Sequence, residues 1–439
     1  MRSSARLSHE DGQGARSAPA GALATLIVAI FTLFSAFAFS HAFSGDLYAV
    51  WRAGEYFGTG DLDIVYRRDE AFFTMLPPDA WAGETADEVS AGVIYPFVYP
   101  PLWAWVGWQA HGIGDFETVS AIASILNPLM IAAMLIMAHR LSAPGMSQGL
   151  FVGTGILFFW FSMVGSMALY QKQPQVVVAF LSVLAIFCGA RGWPRMAGTA
   201  LAFAAAIKLF PAFLAIFWLA SGQRRAVVAF ALAGALLAAL SVAVAGWPLH
   251  ETFLHQVGLI SSTSLLTRLN YSVEAVLTAA MFPGAVEFVA AVRTGMPEGA
   301  QPGWFVVPEP FLSNLAFTAA LAGAIAWLAR GFRRTGGQVV MLWPLALMIL
   351  TLLSPIAWAY YFLAPLAFLP AIFDRFSPFR AMALFLIPLT LTSPFVQTWV
   401  LGPPSGIDTH RIAIQILGVL SMGLLTGAFW AICRRDRMG

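Results

Sequence analysis

Long apolar runs alternate along the chain with short polar breaks, and the run lengths decide how it must fold. A helix rising 1.5 Å per residue crosses a hydrocarbon core of ~30 Å in roughly 17–25 residues. Runs of that order fall at 20–43, 119–139, 148–168, 174–190, 225–246, 312–330, 338–353, 355–373, 380–401 and 411–433. The pattern predicts an all-α integral membrane protein with about ten full crossings. Three further segments, 97–112, 196–221 and 272–282, are too short or too interrupted to cross cleanly. Irregular backbone at membrane depth survives only under a cover of protein or along a wet cavity, so these segments point toward a site.

Residues 1–20 read as a disordered cytoplasmic tail, 21–433 as one transmembrane domain with a helical first outer loop at 44–95, and 434–439 as a second cytoplasmic tail. The first run exceeds a signal-peptide core of about 7–15 residues and reads as an uncleaved helix. Arginines set the orientation. They cluster before the first run (Arg2, Arg6, Arg16) and at Arg191 and Arg195, Arg224 and Arg225, Arg330 to Arg334, Arg375 and Arg380, and Arg434 to Arg437. Ten crossings put every cluster and both termini on the cytoplasmic side of a plasma or inner membrane. The 44–95 loop, with ten carboxylates against three arginines, then lies outside. Stretch 196–221 has inner-side arginines at both ends, so it is expected to enter and return as two half-helices hinged at Lys208 to Pro211. One kinked helix with a snorkelling lysine is the alternative.

Composition agrees with the run pattern: 59% of the 439 residues are hydrophobic and only 10% charged, against about 25% charged in a soluble domain. A net charge of +2 gives no hint of nucleic acid and no basic run resembles a binding patch, so no nucleic-acid partner is expected. Cys188 and Cys433 allow neither a disulfide framework nor a cysteine metal site. No carboxylate falls between Glu117 and Glu251 or inside any full run. Ion-coupled transporters usually carry intramembrane acids, and many show inverted repeats; the halves of this chain show none.

Only two of the 24 basic residues are lysines, and both sit at breaks: Gln171-Lys172-Gln173-Pro174 and Ile207-Lys208-Leu209-Phe210-Pro211. A compact ammonium held there suits a phosphate better than lipid tails, and a merely structural membrane protein would leave it unexplained. Four outer-facing constellations accompany them. Gly45-Asp46-Leu47-Tyr48 leads to Arg52; taken alone, Asp46 is as readily an interfacial helix cap as a catalytic base. Asp61 and Asp63 read as turn residues, with a metal role the weaker alternative. Tyr95-Pro96-Phe97-Val98-Tyr99-Pro100-Pro101 returns the loop to the membrane, where aromatics are commonly belt anchors. Arg268-Leu269-Asn270-Tyr271-Ser272 and Leu353-Ser354-Pro355-Ile356-Ala357-Trp358-Ala359-Tyr360-Tyr361 complete the set. Together they would build a cavity between bilayer and exterior, suited to a lipid-linked substrate.

The order of these motifs, with Val65-Tyr66, Ala197-Gly198 and Trp247-Pro248 between them, resembles glycosyltransferase family 87, polytopic GT-C-type enzymes that use polyprenyl-phosphate sugars. The resemblance runs from about Phe43 to Tyr361. It implies Asp46 as the general base, and Lys208 with Lys172 stabilising the departing lipid phosphate. Tyr48, Arg52, Tyr99, Gln171, Gln173, Asn270, Ser272, Ser354, Trp358 and Tyr361 are then expected around donor and acceptor. It implies no metal or cofactor, and an inverting transfer of a hexose, mannose first, to an outer-face lipid or glycan. A polyprenyl-phosphate pentose (arabinofuranosyl) donor is the alternative within the class; a lipid or solute transporter or flippase lies outside it. Two departures stand out: Ala359, Tyr360 and Tyr361 occupy positions where family members often carry histidine, and Tyr170-Gln171-Lys172-Gln173 replaces Gly-Gln-X-Asn.

Overall fold

The computed structural model describes residues 11–69, 71–84, 92–294, 303–401 and 409–437. Among them five helices are long and apolar enough to cross a membrane: Gly21–Phe39 of the first helix, Phe116–Ser142, Arg224–Ser261, Phe311–Thr335 and Ile412–Asp436. Two bent pairs raise the number to seven. Gln148–Phe161 and Met163–Tyr170 meet at 74°, and Pro378–Thr392 and Pro394–Val400 at 62°. The protein is therefore a multi-pass, predominantly helical membrane protein.

Several expected full crossings are broken, each for a local reason. Ser162 is extended (φ −98°, ψ 153°) and splits the run at 148–168. Run 355–373 dissolves into short helical turns between Ala359 and Arg375, because Pro365 and Pro370 each remove a backbone donor. Leu342–Leu352 has only 11 residues. The helix Arg224–Ser261 is kinked at Gly246, whose φ of 73° suits glycine and where the sequence ends a crossing. Its C-terminal part runs on beyond the kink. The first helix already begins at Asp11, within the stretch expected to be a tail; residues 1–10 lie outside the described residues.

The expectation of an all-α protein is corrected. Thr263–Leu266, Glu287–Ala290 and Gly303–Pro308 form a three-stranded antiparallel sheet with the last strand in the centre. Gly92–Val93 pairs with Arg293–Thr294. Segment 272–282 contributes a nine-residue helix, Val273–Met281, beside this sheet. Under it Ser264 donates to Glu309 Oε1 at 2.5 Å, and burial, followed by Glu309, pushes the Glu274 carboxyl up to about 9.

Three packing features position the site. Helix Gly45–Thr59 lies against Pro101–Ala110 at Gly54 and Gly107, where a Cβ on Gly54 would come within 2.3 Å of the Gly107 carbonyl carbon. Helix Pro194–Ile207 packs on Arg224–Ser261 through Gly198, whose added Cβ would meet Ala226 O at 2.4 Å. Phe217 stacks on Phe332 at 4.9 Å, fixing the segment after the Lys208 break against the Phe311–Thr335 helix.

Candidate active site

The loop after the first helix is sewn to the Gln171–Gln173 turn. Lys172 Nζ donates to Ala42 O at 2.6 Å, Ser44 Oγ donates to Gln171 O, and Asp46 N–H donates to Gln171 Oε1 at 3.5 Å. Lys172 makes its bond from a left-handed backbone (φ 45°), a conformation that strains any side-chain-bearing residue. Ser44 also caps helix Gly45–Thr59 by accepting Leu47 N–H at 3.2 Å. Asp46 is thus held in the first turn of a capped helix, where the helix dipole favours negative charge.

Opposite it, helix Pro194–Ile207 stops at Lys208, which is extended at φ −144° and ψ 132°. The break falls where Pro211 predicts it. The Lys208 ammonium donates to Tyr361 OH at 3.2 Å and lies 4.3, 5.2 and 5.8 Å from the ring centroids of Tyr361, Tyr99 and Tyr360. Three electron-rich faces stabilise a cation that would otherwise be costly at this depth. Tyr99 OH donates to Gln173 Oε1 at 3.3 Å, joining the lysine cage to the glutamine turn.

Burial pushes the Asp46 carboxyl up from the usual 3.8 to about 6, against the opposing pulls of Lys208 and the Gln173 amide. Carboxylate and ammonium sense one another without closing an ion pair. Among the described residues Gln173 Nε2 is buried and has no acceptor within hydrogen-bond distance, so it reaches toward the carboxylate without closing a bond. Asp46, Lys208, Trp358 and Tyr361 retain partial exposure, whereas Tyr99, Gln173 and Tyr360 are buried around them. Such a niche can take a proton at Asp46 and balance negative charge at Lys208.

Other sequence candidates lie in the supporting structure. Asn270 is fully buried; its Nδ2 donates to Leu265 O at 2.7 Å, and its Oδ1 accepts from Ala357 N at 2.8 Å and Ser272 N at 3.2 Å. Ser272 Oγ donates to Ser354 O at 2.7 Å, and Ser354 Oγ to Ile356 O at 3.0 Å. This stitch fixes the turn that carries Trp358, Tyr360 and Tyr361. Asn270→Ala is expected to destabilise the protein by about 2–4 kcal/mol, since each orphaned buried group costs ~1–3 kcal/mol. Thermal unfolding in detergent measures it, and an unmoved midpoint would reject the stitch. Tyr48 packs between Phe43 and Phe116, 5.3 Å from each ring, and Arg52 binds Glu55 at 2.7 Å and Tyr56 OH at 3.1 Å; both lie along the interfacial helix away from the lysine cage. Asp61 accepts from Thr59 Oγ1 at 2.7 Å, as a turn residue does. Tyr360 was not among the expected contacts. Its contact with Lys208 is long-range in sequence and carries no local signal that could have found it.

A half-buried acid thus faces a caged amine beside a broken membrane helix, an arrangement suited to group transfer. The model of glycosyltransferase family 87 matches residues 97–355, more than half of the chain, and the protein belongs to that family. It is accordingly a membrane glycosyltransferase. The matched span holds Tyr99, the 171–173 turn, Lys208, Asn270, Ser272 and Ser354, whereas Asp46, Tyr48, Arg52, Trp358 and Tyr361 lie beyond it. No curated protein matches the chain significantly. Among solved structures, ArnT from Cupriavidus metallidurans bound to undecaprenyl phosphate matches at 14% identity and a TM-score of 0.40, covering 94% of this chain and 76% of that one. A likeness that shallow transfers neither fold detail nor substrate.

Proposed function

We propose that the protein transfers a hexose, mannose in the first instance, from a polyprenyl-phosphate donor to a lipid or glycan acceptor at the outer face of the cell's inner or plasma membrane. The observation that carries this reading is the Asp46 carboxylate within electrostatic reach of the Lys208 ammonium in one partly open niche. In this reading Asp46 takes the proton of the acceptor hydroxyl as its oxygen attacks the anomeric carbon. The bond from that carbon to the phosphate oxygen breaks as the new glycosidic bond forms, and Lys208 balances the charge left on the lipid phosphate. The leaving group is already a phosphate monoester, so the reaction demands no strong general acid and no metal. Attack from the face opposite the phosphate inverts the anomeric configuration. In this reading a GT-C-type arrangement with both termini cytoplasmic would turn the niche toward the exterior.

The reading is tested with membranes containing the protein, radiolabelled polyprenyl-phosphate mannose and extracted cell-envelope acceptors. Label should move to acceptor in an α linkage from a β-linked donor. Transfer from a polyprenyl-phosphate pentose alone would move the assignment to the other sugar class, and failure with both would defeat it. The pH profile supplies a separate check. A base must be ionised to act, so kcat/KM should fall as pH drops through about 6 and level off above it. A flat profile from pH 5 to 8 would remove Asp46 from the role.

A further inference from the structure

At the far end of the bundle the structure holds a second built site. Helix Phe116–Ser142 starts beside Tyr48 and ends at Ser142, so its length of about 40 Å separates the two ends. There Ser142, Arg334, Gln338, Arg375, Asp436 and Arg437 line a cavity of about 740 Å³. A smaller cavity of about 160 Å³ adjoins it, walled by Trp327, Leu328, Arg330, Gly331 and Leu342. Arg334 and Arg437 border both cavities and form the seam between them.

Helices ending at Ser142, Thr335 and Asp436 turn their free carbonyls toward this region, and some arginine is needed merely to balance them. Other arginines meet that need. Arg375 donates to Ser142 O at 3.0 Å and lies 3.6 Å from Asp436; Arg435 donates to Arg375 O at 2.7 Å; Arg434 stacks over Trp430 at 4.9 Å. Arg334 and Arg437 are exposed and make no hydrogen bond or ion pair with any described residue. Gly331 makes room for one of them: a Cβ there would come within 2.9 Å of Arg437 Nη2. With three arginines against Asp436, the larger cavity is cationic. The smaller one sits on the helix Phe311–Thr335, which is only 11% buried in its apolar window and so turns its side toward lipid.

We propose that this end binds one anionic phospholipid, with its phosphodiester at the Arg334–Arg437 seam, its polar head in the larger cavity and its acyl chains leaving along the exposed Trp327 face of the Phe311–Thr335 helix. Basic pockets between transmembrane helices recognise anionic headgroups in this way. The inference stands apart from the sugar-transfer reading, because it uses no residue of the Asp46 niche.

Native mass spectrometry of the purified full-length protein, titrated with phosphatidylglycerol or with phosphatidylcholine of the same chains, tests it. Wild type should retain phosphatidylglycerol preferentially. The double variant Arg334→Gln with Arg437→Gln should lower that retention about tenfold and leave phosphatidylcholine unchanged. Arg333→Gln, on the same helix but outside both cavities, should change neither. Trp327→Ser, at an exposed position tolerant of substitution, should weaken phosphatidylglycerol severalfold through the apolar wall alone. Equal retention by wild type and the double variant would overturn the proposal. So would displacement of the lipid by inorganic phosphate, which would make the seam a site for a soluble anion.

Discussion

Asp46→Asn should abolish sugar transfer while making the protein harder to unfold above pH 6. The two effects share one cause. Burial raises the carboxyl from 3.8 to about 6, so the folded protein prefers the neutral acid. For an acid whose folded pKa is raised, the stability contribution is complete below 3.8 and is lost as pH climbs through 6. At neutral pH the ionised carboxylate therefore costs up to about 3 kcal/mol, less whatever its partial exposure screens. Asparagine keeps the shape of the neutral acid and never ionises, so its advantage should grow between pH 4 and 6 and then hold steady. Transfer should fall by about 10²–10⁴, the range a positioned base typically contributes. Paired thermal melts at pH 4 and pH 8, beside turnover of labelled donor, measure both effects. An Asn variant with full turnover would strip Asp46 of its role. An inactive variant no more stable than wild type at pH 8 would instead show that the carboxylate is not strained by burial.

How much of this was readable from the chain depends on the range over which each feature is encoded. The helix break at Lys208 is local: Pro211 lies three residues on, and the kink at Gly246 is likewise written beside Pro248. The long lipid-facing helices follow from run length alone. Broken crossings were harder, because Ser162 and Pro394 interrupt runs whose average hydropathy stays high across the bend. The small sheet escaped because its strand Thr263–Leu266 pairs with Gly303–Pro308 across 39 or more residues and lies amid apolar sequence that reads as helix. At the site, the sequence singled out both lysines on the same grounds. Only the fold separates them: Lys172 holds a backbone carbonyl beside Asp46, whereas Lys208 stands in a ring of tyrosines. No spacing rule distinguishes an amine that positions a loop from one caged by aromatic rings. Asn270 illustrates the same limit. It was expected near the substrate, yet every polar atom of its side chain is committed to chain segments on either side.

Lys208→Met should weaken donor binding and slow transfer together, by about 10²–10³ in kcat/KM, the usual loss when one preorganised charge partner of a developing anion is removed. Methionine fits the same slot and retains contact with the tyrosine faces, so loss of packing should be small. A general loss of activity could have many causes, and the pH profile separates them. In the wild type the ammonium pulls the Asp46 carboxyl downward against its burial; without it the carboxyl must titrate higher, so the acid limb of the residual activity should shift above 6. Lys172→Met provides the contrast. Its amine bonds Ala42 O, and removing it loosens the seam that carries Asp46, lowering stability and turnover while leaving Lys208 beside the carboxyl. Donor affinity, read by titrating unlabelled polyprenyl phosphate against labelled donor, should thus fall with Lys208→Met far more than with Lys172→Met. Equal losses, or an acid limb that stays put in Lys208→Met, would mean that the caged amine does not face the phosphate and that the three tyrosines hold it for the fold alone.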